Sequence, residues 1–343
     1  MSSTEKAADS VVHRIEAAGL EQDDFFRRFV AANTPVVVQG ALSESTPCLT
    51  WTPQQLADLA PPDASVKVAP LMGDGRDKWI ESTSLWSVDF DSEEPLPGVL
   101  HKDRVLAVAA SRIEVSAQDF ADSLQGRGTL PSLYADGASN LAHSFGFLEQ
   151  ELPKPPSFGE ELQYKRTDLW LGGRTLSTLH FDNYENLFAQ LVGEKEFTLC
   201  PPGDTEQLLD GRLRKAFATW QPATGTFERA AGGLSEQTVL NYAAYDIDNP
   251  GAEYKARASK LRRQVVRVRA GEVLYLPFGW WHQVRAIPSD TGLCASAAFF
   301  YEPFFVRLQP KSLPHAGRLV LNPKYRATCV RLGLYDSDSD EEA

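Results

Sequence analysis

Short apolar runs punctuated by Gly and Pro dominate the chain from residue 130 onward. Residues 187–192, 196–200, 264–269, 273–276 and 295–301 each read as a strand. Gly193-Glu194 is a tight-turn signal between the first two, and Pro201-Pro202 closes the second. This half predicts an antiparallel β sandwich or barrel. Ahead of it the pattern is mixed. Residues 21–30 space their apolar positions for a short amphipathic helix, Asn33-Thr34-Pro35 stops it, and Val36-Val37-Val38 follows as a β-branched strand. Thr52 is an N-cap with Pro53 at the first helical position. Ser116 with Asp119 opens another helix through Leu124, and 66–68 and 105–108 read as strands. Residues 73–103 mix acids, Gly and Pro and are expected to be mostly loop; 222–259 reads as an insertion without a definite pattern. Asn322-Pro323 caps a last helix through Leu334, with Tyr325, Cys329 and Leu332 on one stripe.

Composition adds bounds to this pattern. With 43% hydrophobic and 23% charged residues over 343 positions, the chain is globular and long enough for a substantial core. A formal net charge of −12 argues against holding nucleic acid by phosphate neutralisation. Part of that excess is local: 336–343 carries five acids and reads as a disordered tail. Ser337 and Ser339 each stand three residues before an acid, a pattern for acidophilic kinases, although a solubilising tail is the plainer reading. The first thirty residues hold Glu5, Lys6 and Asp9 and no apolar stretch of the signal-peptide kind, and no apolar run is long enough to cross a bilayer. Four cysteines lie far apart without a CxxC pair, which fits reduced thiols inside the cell, in cytoplasm or nucleus.

The six histidines sort themselves by their neighbours. His13, His143 and His315 have no acid or cysteine at ligand spacing. Two head an H-x-D tripeptide, His101-Lys102-Asp103 and His180-Phe181-Asp182. Residues two apart on a strand share a face, so either tripeptide can present an imidazole beside a carboxylate. The charged centre of the first favours a solvated surface; the apolar centre of the second opens into a β pattern. His282, within Leu276-Pro277-Phe278-Gly279-Trp280-Trp281-His282, would complete a two-histidine, one-carboxylate set with His180 and Asp182. Such a set suits Fe(II), because it leaves three octahedral positions for a bidentate co-substrate and O₂. An H-x-D tripeptide alone is a weak signal, as the second copy demonstrates.

The surrounding residues are more specific. Residues 177–188, Ser-Thr-Leu-His-Phe-Asp-Asn-Tyr-Glu-Asn-Leu-Phe, followed by Gly193-Glu194-Lys195 and Pro201-Pro202, resemble the core of a JmjC-domain oxygenase. Residues 275–282 resemble that family's segment bearing the second histidine. The resemblance covers roughly 23–305. Within the family it is strongest to the small JmjC-only lysyl hydroxylases of GTP-binding proteins, on Trp170-Leu171-Gly172 and Tyr184-Glu185-Asn186-Leu187. It implies a mainly β fold, a double-stranded β-helix of the cupin (jelly-roll) type, with flanking N-terminal and C-terminal helices. It implies one domain over 20–305 with its catalytic β core at about 130–305, a C-terminal helical segment at 306–335 and the acidic tail at 336–343.

The same resemblance implies site residues. His180, Asp182 and His282 would bind Fe(II), with 2-oxoglutarate and O₂ as co-substrates. Lys195 would meet the distal carboxylate of 2-oxoglutarate, helped by Tyr134 and Ser177, and Asn186 would approach its oxygens near the metal. Ala298 stands where relatives carry an asparagine, and Phe300 where they carry tryptophan. A missing hydrogen bond there is worth about 1 kcal/mol, which weakens a co-substrate without abolishing its binding.

The expected activity is hydroxylation of a protein, with a lysine side chain of a GTPase as target. The competing readings are Nε-methyl-lysine demethylation and a non-catalytic cupin-like binding module, for which Ala298 is the best support. Trp280-Trp281 and Phe299-Phe300-Tyr301 are read as barrel packing in preference to a substrate cage. Lys260-Leu261-Arg262-Arg263 is read as a solvated face. No direct nucleic-acid or membrane contact is expected, and the last amphipathic helix offers a face for a homodimer.

Overall fold

The computed structural model describes residues 12–88, 105–137, 140–209, 212–308 and 318–334. His101-Lys102-Asp103 and the acidic tail with Ser337 and Ser339 lie outside these residues.

Eight strands build the barrel: β1 (Tyr164–Gly172), β2 (Leu176–Phe181), β3 (Glu185–Val192), β4 (Glu194–Cys200), β5 (Gln264–Arg269), β6 (Val273–Leu276), β7 (Trp281–Ile287) and β8 (Cys294–Tyr301). One sheet runs β6-β3-β8-β1 and the other β5-β4-β7-β2. Apart from the β4 to β5 step, each strand is followed by one in the opposite sheet. All pairs within the two sheets are antiparallel. This is the double-stranded β-helix expected from the resemblance. The larger sheet continues beyond β6 through Val36–Gln39 and His13–Glu16, and beyond β1 through Leu133–Asp136, Ser65–Pro70 and Ile113–Ser116.

Burial follows position in the sheets. Every residue of β3 and β8 is buried, because both faces of these central strands are covered. Between the sheets, Phe188, Phe197, Leu199, Val284 and Ala298 pack together. Outside the larger sheet, Leu187, Ala189, Tyr275 and Phe299 meet Phe25, Phe26 and Phe29 of the N-terminal helical turn. Edge strand β5 alternates instead, with Val266 and Val268 inward.

The N-terminal helix is α-helical only over Gln22–Phe25 and continues as a π-turn over Phe26–Val30. That wider turn lets Phe25, Phe26, Phe29 and Val30 all be buried. Thr52 and Gln55 form a capping box at the start of Pro53–Asp58, and the Ser116 side chain caps Ala117–Leu124.

Three expectations are corrected. Within 73–103, Lys78–Ser82 is a strand paired with Val105–Ala110. Its alternation is hidden because Glu81 is an inward residue, held by Arg229 at 2.7 Å and by Trp86 Nε1 at 3.0 Å. Residues 222–259 supply Thr226–Glu228 and Leu234–Val239, both paired with Leu213–Gln221 beside Val105–Ala110. The segment after 305 begins as a ribbon, Phe305–Leu308 against Arg318–Leu321, and turns helical only over Pro323–Tyr325 and Arg326–Arg331. There the Asn322 side chain accepts from Lys324 N, as a cap. The stripe Tyr325, Cys329 and Leu332 is buried in this chain's own core, Tyr325 against Phe26 and Phe304. It is therefore spent and does not remain as a face for a second copy. The N-terminal helical turn and the last described residues meet at this place: Arg27 donates to the Leu332 carbonyl at 3.2 Å, and Arg331 pairs with Asp23 at 2.9 Å.

Candidate metal centre

His180 is the last residue but one of β2 and His282 the second of β7, and the register places them directly opposite one another. Asp182 follows β2 by one residue. The three offer ligand atoms that all lie within 4.8 Å of one another, and His282 Nε2 is 3.7 Å from Asp182 Oδ2. That is close to the spread one ion spans when it bonds each at about 2.1 Å.

The two imidazoles are oriented by backbone carbonyls. His180 Nδ1 lies 2.7 Å from the Thr178 carbonyl and His282 Nδ1 lies 3.0 Å from that of Trp280. A carbonyl only accepts, so each neutral ring keeps its proton on Nδ1 and turns the Nε2 lone pair to the centre. Burial, aided by His180, pushes the His282 pKa down to about 4, against the pull of Asp182. His282 is thus neutral at physiological pH, the form that binds a metal.

The turn that carries His282 is tied down at several points. Glu185 is buried and accepts from Tyr275 Oη at 2.8 Å, Phe278 N at 3.0 Å and Phe304 N at 2.8 Å. Gly279, at φ +77°, donates to the Asp182 carbonyl at 3.1 Å. Trp280 Nε1 reaches the Asn33 carbonyl at 2.8 Å and Trp281 Nε1 reaches Thr205 Oγ1 at 3.0 Å. Both tryptophans are packed, as the plainer reading had them. Burial raises the Glu185 pKa to about 7, since its three donors only partly offset the lost hydration.

A cavity of about 220 Å³ opens beside the triad. His180, Asp182, Ser177, Tyr134, Trp170 and Phe300 are among its walls, so four of the residues singled out from sequence are brought together there. Burial pushes the Tyr134 pKa far up, so its hydroxyl remains a donor. Lys195 and Asn186 stand behind the wall. Lys195 pairs with Ala286 on the inward face of β4, four residues from Leu199, the partner of His282. At about 3.3 Å per residue it sits roughly 13 Å deeper along the strand. Its ammonium lies 5.0 Å from the Phe188 ring centroid and 5.9 Å from that of Trp170, with no carboxylate at ion-pair distance among the described residues. Burial pushes its pKa down to about 8. Asn186 Oδ1 is buried without a hydrogen-bond partner. A neutral imidazole with its lone pair inward, an uncompensated ammonium and an orphaned amide oxygen all fit a bound metal and an anionic co-substrate.

Several wall residues carried no signal in the sequence. Lys78 Nζ bonds Asp77 at 2.8 Å and Asp136 at 2.7 Å, and Arg112 also holds Asp136. Burial and the neighbouring Asp136 push the Asp77 pKa up; Asp136, between two cations, is held down despite its burial. Tyr242, from the insertion, stacks on His180 with ring centroids 5.5 Å apart and forms a backbone bridge to it. Arg166 and Asp168 line the same cavity from β1. A second cavity of about 620 Å³ shares Asp77, Lys78, Asp136, Asn241 and Tyr242 with the first. The cluster 260–263 is only partly solvated: Arg262 pairs with Asp204 at 2.8 Å and Arg263 donates to the Ile247 carbonyl. No helix among the described residues is long and apolar enough to cross a membrane.

Comparison with known proteins agrees with this geometry. The family model of the cupin-like domain matches residues 22–307. The human bifunctional peptidase and (3S)-lysyl hydroxylase JMJD7 is 27% identical, covering 81% of this chain and 80% of its own. The Arabidopsis thaliana lysine-specific demethylase JMJ32 is 30% identical over 40% of this chain and 42% of its own. The human tRNA wybutosine-synthesizing protein 5 is 26% identical over 80% and 73%.

Proposed function

The chain belongs to the cupin-like domain family, in its JmjC oxygenase branch, and from that premise we propose that it is an Fe(II)- and 2-oxoglutarate-dependent hydroxylase of protein side chains. The observation that carries this reading is the convergence of His180, Asp182 and His282 at one end of the barrel, with the unpaired Lys195 ammonium deeper on the same inner face. His180, Asp182 and His282 would hold the iron. When bound, the metal and its co-substrate supply the oxidising power needed to hydroxylate an unactivated C–H bond.

The protein's own contributions are binding, orientation and exclusion of water. Lys195 neutralises the distal carboxylate of 2-oxoglutarate, and Tyr134 and Ser177 donate hydroxyls to it. Asn186 accepts or donates through its amide near the metal. The Thr178 and Trp280 carbonyls hold the two imidazoles in the metal-binding tautomer. Phe188 and Trp170 keep the inner end dry, which strengthens each charged contact.

A lysine side chain, as in a GTPase, is the target this reading favours, supported by the likeness to a relative described as a lysyl hydroxylase. The likeness to a demethylase supports a second reading, removal of a methyl group from Nε-methyl-lysine. The test is conversion of 2-oxoglutarate to succinate by Fe(II)-reconstituted protein on exposure to O₂, with and without peptides. Succinate that disappears in Asp182→Ala is the expected result. Gain of one oxygen on a peptide supports hydroxylation, whereas loss of a methyl supports the second reading. Full iron occupancy with no succinate on any peptide would overturn both and leave a binding module.

A further inference from the structure

The charged walls of the metal pocket divide into two kinds. Lys78, Arg112, Asp77 and Asp136 satisfy one another as a closed set. Arg166 is held differently. Its Nε donates to Asp168 Oδ2 at 3.0 Å, and its guanidinium carbon lies 4.6 Å over the Phe300 ring and 4.8 Å over that of Tyr184. A guanidinium has five N–H donors, so these contacts fix its plane and leave about four for the cavity it lines with His180 and Asp182.

Register gives the depth of this group. Arg166, Asp168 and Trp170 share the inward face of β1. Trp170 lies beside Lys195, Asp168 is opposite Ala298, and Arg166 is opposite Phe300, which is itself opposite Asn186. Arg166 is therefore at the metal end while Lys195 is deep, and between them β8 offers only the Ala298 methyl. Tyr184 is two residues from Asp182, which places its partner Arg166 at the level of the H-x-D turn.

We propose that Arg166 is a carboxylate-binding residue at the metal end of the pocket. A planar fork anchored through Nε and backed by two rings presents its remaining donors in the geometry of a carboxylate. The carboxylate comes either from the metal-side end of the 2-oxo acid or from an acidic side chain of the polypeptide substrate. This inference rests on the metal-pocket reading above and deepens it.

The test uses full-length protein loaded with Mn(II), as wild type, Arg166→Met and Arg166→Lys, titrated calorimetrically with 2-oxoglutarate. If the 2-oxo acid is the source, Arg166→Met raises its Kd at least tenfold, Arg166→Lys falls between, and the Mn(II) Kd stays within twofold. If the substrate is the source, the 2-oxoglutarate Kd does not move. Wild type then retains Asp/Glu-containing hexapeptides about tenfold over their Asn/Gln counterparts, and Arg166→Met loses that preference. An unchanged 2-oxoglutarate Kd together with no acid preference, or a preference that survives Arg166→Met, overturns the proposal. Should Arg166→Met not fold, Arg166→Lys keeps the cation over the rings without the fork, and a shift of about three- to fivefold is expected; a shift within twofold in both arms overturns it. The peptide arm is also read on metal-free protein, because an arginine–carboxylate contact needs no metal. A wild type that binds neither Mn(II) nor 2-oxoglutarate thus removes the proposed function, and the acid preference of the metal-free protein then decides the role of Arg166 by itself.

Discussion

At one end of the barrel His282 is buried between His180 and Asp182; roughly 13 Å deeper, Lys195 is buried beneath the rings of Trp170 and Phe188. Low dielectric acts on both in the same direction, against the protonated form. For His282 the outcome is the functional state, since only a neutral imidazole binds a metal. For Lys195 it is the opposite, since a lysine must be charged to hold a carboxylate. The metal end is thus prepared by the fold alone, and the deep end is completed only when an anion arrives to compensate an ammonium that burial has weakened.

The largest expected effect breaks the metal end. Asp182→Ala removes the single anionic ligand, and metal affinity should fall at least a hundredfold with complete loss of succinate formation; isothermal titration with Mn(II) measures the first. Next in size is Lys195→Met. The lost charge-assisted contact is worth about 2–3 kcal/mol, so 2-oxoglutarate affinity should fall about 30- to 150-fold while Mn(II) affinity stays within about threefold. Thermal stability of the ligand-free variant should hold or rise, because a buried ammonium without a counter-ion has been removed.

The third prediction concerns pH. With the free-state pKa of Lys195 near 8 and the bound carboxylate raising it, binding takes up a proton above pH 8. Affinity for 2-oxoglutarate should therefore fall by up to about tenfold per pH unit above that point, and the slope should vanish in Lys195→Met. Equal slopes in the two proteins would sink the comparison at its deep end.

The smallest effect belongs to Glu185. Its folded pKa of about 7 lies above that of an unfolded glutamate, so the folded state binds the extra proton. The stability this contributes is fully present below the unfolded pKa and is lost as pH rises through about 7. The difference in unfolding free energy between wild type and Glu185→Gln should accordingly narrow from pH 5 to pH 8, by about 2 kcal/mol or less, as measured by denaturant titration. A gap that stays constant would mean the carboxylate is charged throughout.

What the sequence made legible was chemistry set in apolar context. His180, Asp182 and His282 stood out because their spacing fits a metal within a β pattern, and β3, β4 and β8 were visible from their Leu, Phe and Ala runs. The starts of β3 and β4 lie two residues ahead of those runs, because Glu185, Asn186 and Lys195 look like solvent-facing residues until the barrel closes around them, while Glu194 keeps an outward face. Arg166 and Asp168 were missed for the same reason: an inward ion pair on β1 has the pattern of an outward face. Lys78 was hidden in a stretch whose buried charges imitate a loop. Tyr242 had no local sign at all; only the return of the insertion to β2 brings it onto His180.

The meeting of the N-terminal helical turn with the last described residues has a mechanical consequence. Arg27, Asp23 and Phe26 hold the helical turn after Asn322, so opposing forces applied at residues 22 and 334 act first on those few contacts and only later on the strands. An optical-tweezers record should begin with a small, low-force extension as 323–334 peels away, followed by a separate, much larger rupture of the barrel. The terminal turn is a fastening on the outside of the structure, at a distance from the pocket and releasable ahead of it.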